Sequence, residues 1–102
     1  LMFPSGTPLP ETHAVLREAL TAEWEAVADG ILIRSPALGD ESLGADLDAA
    51  SFEFLTSLAD RLEAFESRAD QLSAHDREIL VRLRSLLDFD ATGGTYGTVI
   101  GR

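Results

Sequence analysis

Apolar residues recur along this chain at helical intervals. Leu16, Leu20, Trp24, Val27 and Ile31 succeed one another at steps of 4, 4, 3 and 4, the signature of one face of an α-helix. The spacing predicts a first helix from Pro10-Glu11-Thr12, where proline suits the first turn and a glutamate faces the positive end of the helix dipole. Asp29-Gly30 is its expected stop. Farther on, Leu55, Leu58, Leu62, Phe65, Ala69 and Leu72 step by 3, 4, 3, 4 and 3, a heptad seam that predicts a second helix over about 49–70. Continuing that seam would place Asp76 among leucines. Ser73-Ala74-His75-Asp76 instead resembles a capping box, with a serine hydroxyl for the first free amides and a carboxylate three residues later. A third helix over about 74–88 is therefore expected, with Glu78 and Arg82 paired one turn apart. Residues 35–48 combine Pro36, Gly39, Gly44 and four acids, and are expected to form a loop.

These elements predict an all-α domain of three helices, a helical hairpin plus an N-terminal helix. Pro4, Gly6, Pro8 and Pro10 mark residues 1–10 as an extended arm. The single helical domain is expected over 11–90, then a glycine-rich tail at 91–102, where Gly93, Gly94, Gly97 and Gly101 exclude a helix.

The size and composition suit that picture. The chain has 102 residues, 45% of them hydrophobic, enough for one small core and too apolar for wholesale disorder. No apolar run approaches the ~18 residues of a membrane span, and Leu1-Met2-Phe3-Pro4-Ser5-Gly6 is not expected to open a signal peptide. There is no cysteine, which excludes disulfides, thiolate metal sites and thiol nucleophiles together.

Charge narrows the partners. Eighteen acids face eight bases, a net charge of −10, and every base is arginine. Residues 1–66 hold 13 acids and 3 arginines, while residues 67–102 hold 5 of each. A field of that sign repels phosphate backbones and anionic lipid, so no nucleic-acid or membrane partner is expected. The expected partner is protein, either a second copy or a larger assembly. The expected setting is the cytoplasm, or a virion if the chain comes from a phage. Arginine without lysine, beside abundant alanine and leucine, fits a GC-rich bacterial or phage genome.

Candidate chemistry is sparse. His13 and His75 sit near expected helix starts and read as surface residues. Asp60, Glu63, Glu66 and Asp70 lie on one helix beside the apolar seam. Without burial they read as a solvated face rather than an acid–base pair or cation site. No phosphate-binding glycine loop or nucleophile elbow occurs, so no catalytic residue, cofactor or metal is expected. The aromatic residues Trp24, Phe52 and Phe54 widen the apolar surface beyond what three short helices enclose. With Leu58 and Tyr96 they form the expected partner interface, centred on a patch around Trp24 and Phe54. The function this implies is a non-enzymatic interaction module, or a small subunit of an oligomer or larger assembly. An acidic decoy that imitates DNA is a further alternative.

Residues 14–88 also resemble an acyl carrier protein, an acidic domain with a first helix, a long loop and a helix opening at a serine. Gly30 to Ser51 spans 21 residues and Ser51 to Leu87 spans 36, and Leu43-Gly44-Ala45-Asp46 is similar to the stretch that precedes Asp-Ser-Leu in that family. Here Asp46 runs into Leu47, and the serine within reach lies in Ala50-Ser51-Phe52. The resemblance implies that Ser51 would carry phosphopantetheine.

Overall fold

The computed structural model describes residues 1–89; Asp90 and the glycine-rich segment 91–102, with Tyr96 in it, lie outside the described residues. Ten elements succeed one another: strands β1 (Met2–Phe3), β2 (Val15–Leu16), β3 (Leu20–Thr21), β4 (Glu23–Val27), β5 (Gly30–Ser35) and β6 (Asp40–Gly44), helix α1 (Leu47–Glu66), a 3₁₀ turn (Ala69–Gln71), helix α2 (Ala74–Leu86) and strand β7 (Leu87–Asp88). The fold is therefore mixed, not an all-α helical bundle. The expected hairpin is present as α1 and α2, and the expected N-terminal helix is replaced by strands.

The correction has a local cause. Val27 pairs with Gly30 across the two-residue turn Ala28-Asp29, so β4 and β5 form a tight hairpin where a helix was expected to stop. Asp29 suits a turn position and Gly30 the positive φ that follows it, and Ile31-Leu32-Ile33 supplies the branched side chains that suit a strand. Gly30 has φ +143°, and a Cβ there would collide with the Gly44 carbonyl oxygen of β6. Strand β6 completes a three-stranded antiparallel meander, with Ile33 opposite Ser42 and Ser35 opposite Asp40.

Pro10 likewise begins no helix. It occupies the second position of the turn Leu9-Pro10-Glu11-Thr12, closed by the Thr12 amide donating to the Leu9 carbonyl at 3.4 Å. Glu11 takes φ +62°, so the turn has the type II pattern of proline then a left-handed residue. The arm expected at residues 1–10 is folded back. The Leu9 amide donates to the Ala14 carbonyl at 3.0 Å, the Leu16 amide donates to the Thr7 carbonyl at 2.9 Å, and β1 pairs with β3. Strand β2 pairs with β7, which fastens this N-terminal layer to the end of α2.

The helices form where their end signals are complete. Asp46 caps α1 by accepting the Ala49 amide at 2.8 Å, and Ser73 caps α2 by accepting the Asp76 amide at 3.1 Å. These are two separate helices, broken at residues 67–73. Arg17 closes the far end of α2, its amide donating to the Leu86 carbonyl at 2.7 Å and its guanidinium to the Leu87 carbonyl at 3.4 Å, a cation at the negative end of the dipole.

Helix α1 packs on β6 and β5. Gly44 permits this approach, because a Cβ there would strike the backbone of Ala50. The core gathers Phe3, Leu9, Leu16, Ile33, Phe54, Leu58 and Leu83, with the rings of Phe3 and Phe54 stacked at 5.6 Å. Buried Asp40 is held by the Ser57 hydroxyl and by Arg61, whose Nη2 lies 3.6 Å away and whose Nη1 donates to the Leu38 carbonyl at 2.7 Å. This polar knot ties the sheet to α1. Among the described residues no helix is long and apolar enough to cross a membrane.

Candidate functional site

The expected interface residues do not share one surface. Phe54 and Leu58 are 0% exposed and belong to the core. Trp24 is 50% exposed and Phe52 48%. Trp24 pairs with Ile33, and directly paired residues share a sheet face. It therefore lies on the α1 side of the sheet, on an edge strand beyond the strands on which α1 packs. On the opposite face, Arg34 forms ion pairs with Glu25 and, at 3.6 Å, with Glu23. The patch expected around Trp24 and Phe54 therefore dissolves into one core residue and one edge residue.

A groove of about 470 Å³ runs along α1. The proline turn forms one wall through Pro10, Glu11 and Thr12, and α1 and Phe89 supply the rest. Ala59, Leu62 and Phe89 give it an apolar lining, and Glu11, Asp60, Glu63 and Glu66 give it four carboxylates. Thr56 also lines it, and the Thr56 hydroxyl is buried with no hydrogen-bond partner among the described residues. Phe52 precedes Thr56 by one turn of α1, which extends the same stripe toward the start of the helix. A second hollow of about 320 Å³ between Leu38 and Val81 carries both Glu18 and Arg82, and so lacks a single sign of charge.

The placement of the acids is informative. Glu63 and Glu66 stand in the last turn of α1, which holds no basic residue. Carboxylates there oppose the helix dipole, at about 0.3–1 kcal/mol each. Arg84 offsets part of this through an ion pair with Glu66 at 3.2 Å. Glu66 is thus tied to α2, whereas helix stability does not account for Glu63. Together with the dipole they make the groove a negative channel with an apolar floor, chemistry suited to a guanidinium or ammonium group carried on an apolar segment.

Of the acidic cluster expected on this helix, Asp60, Glu63 and Glu66 line the groove, whereas Asp70 belongs to the 3₁₀ turn. Glu11 and Phe89 join them only through tertiary structure. His13 and His75 are exposed, and among the described residues no group of three or more His, Cys, Asp or Glu could hold a metal ion. Ser51 is half-buried and lies one turn inside α1. The helix opens at Asp46, and strands precede it. The carrier-protein layout of a first helix and a serine-led second helix is thus not the layout of this chain. No known protein family, no curated protein and no solved structure matches the chain.

Proposed function

We propose that this domain is a non-enzymatic protein–protein interaction module, a small subunit of a larger assembly, whose α1 groove receives a basic segment bearing apolar side chains from a partner protein. The observation that carries the reading is the groove itself, an apolar floor with four carboxylates, two of them in the unfavourable last turn of a helix. The net charge of −10 supports it by drawing basic partners from a distance. The same field disfavours nucleic acid and anionic membranes. The cytoplasm, or a virion for a phage-derived chain, is the setting this reading carries.

The test is amide chemical-shift mapping of the full chain titrated with a short peptide alternating leucine and arginine. Saturable shifts should fall on Glu11, Thr12 and 56–66, and an acidic counterpart peptide should leave them in place. Glu63→Lys should abolish the shifts, while Glu41→Lys, with the same change in net charge on the sheet, should keep them. Shifts spread over the whole acidic surface, or lost equally in both variants, would reduce the interaction to net charge and overturn the reading.

A further inference from the structure

We propose that the second hollow, between α2 and the turn joining β5 to β6, receives a second copy of this chain about a twofold axis, with Val81 of each chain seated in the hollow of the other. This surface shares no residue with the α1 groove, and the proposal stands apart from the reading of that groove. Val81 is 57% exposed, more than any other large apolar side chain of the two helices. Its branched side chain keeps one rotamer in a helix, so burying it costs little freedom. The hollow beside it can take such a knob. Ala19, Ala37 and Ser85 are exposed and small, which lets a second backbone come close. Leu20, Leu38 and Leu86 are half-buried or buried and supply an apolar floor.

Charge selects the occupant. Glu18 and Arg82 both line the hollow, yet they do not pair with each other. The ion pairs among the described residues join Arg34 to Glu23 and Glu25, Arg61 to Asp40 and Arg84 to Glu66. The pair of Arg82 with Glu78 that their spacing predicts is not among them. A basic partner would meet Arg82 here, and an acidic one would meet Glu18. A twofold axis resolves both, because each contact across it occurs twice with the roles exchanged. Glu18 of one copy faces Arg82 of the other, and Arg82 faces Glu18. The wider surface agrees. Helix α2 carries two acids and three arginines, so this side offers two chains of net charge −10 the approach with least repulsion.

Sedimentation equilibrium of the full chain at rising concentration should show monomer and dimer in exchange. Val81→Arg should leave a monomer with an unchanged circular dichroism spectrum. Glu18→Arg and Arg82→Glu, each alone, set like charges against each other at both contacts and should weaken the dimer at least about tenfold. Mixed in equal amounts, the two single variants again set an acid against an arginine at both contacts. They should form a heterodimer of about parental affinity. Glu41→Arg, the same change of charge on the outer face of the sheet, should not weaken the parent dimer. A chain that stays monomeric at millimolar concentration would overturn the proposal. So would single variants that dimerise as the parent does, or a mixture that associates no better than its components. None of these results touches the groove, whose peptide binding is read separately at residues 56–66.

Discussion

The two halves of this molecule are built to different rules. From Leu47 to Leu86, the chain forms helices whose seams, caps and breaks are all written locally. Before Asp46 it forms short strands, none longer than the six residues of β5; β4, β5 and β6 pair in sequence order, but β1, β2 and β3 find their partners farther off. Val15 meets Asp88 and Met2 meets Thr21. The helical half carries its own instructions, while the strand half becomes ordered by pairing and by the helix laid across it. The groove arises where the halves meet, with its turn from one and its helix from the other.

The largest effect should come from breaking that junction. Phe54 stacks on Phe3 and is fully buried, so Phe54→Ala should cost about 3–5 kcal/mol. Far-UV circular dichroism should report loss of strands and helices in one transition. Two separate transitions would mean that the halves fold independently. Gly44→Ala comes next. Its new methyl would meet the Ala50 backbone and should force α1 away from β6 at about 1–3 kcal/mol, read as a lower denaturant midpoint. An unchanged midpoint would show that the helix does not sit this close to the strand. Ser73→Ala perturbs the helical half alone, with an expected loss of about 0.5–2 kcal/mol and no change at the sheet. Ser73→Asp should restore most of that loss.

The same contrast governs how much could be read from the sequence. The steps of 3 and 4 from Leu55 to Leu72 and the serine at position 73 located the hairpin because helix signals are local. Leu16, Leu20, Trp24, Val27 and Ile31 kept a helical interval by coincidence, across four strands, β2 to β5, and the tight turn between the last two. Asp29-Gly30 and the run Ile31-Leu32-Ile33 were the available strand signals, and the periodic stripe outweighed them. Pro10 fitted a helix start and a turn equally, because both ask for the same φ. The acids at positions 60, 63 and 66 were visible as a cluster. Their meaning was not, since Glu11 and Phe89 reach the groove only after the N-terminal layer pairs with β7. Exposed Phe52 and buried Phe54, two residues apart on one helix, show why aromatic content alone did not find a surface.

Glu63 offers the sharpest trial of the groove, because stability and function pull it in opposite directions. In Glu63→Lys a cation replaces an anion in the last turn of α1. The variant should gain about 0.3–1 kcal/mol of stability and lose leucine–arginine peptide binding, both measured on the same sample by thermal melting and calorimetric titration. A variant that melts higher and still binds as well as the parent would refute the assignment of the groove as the docking site.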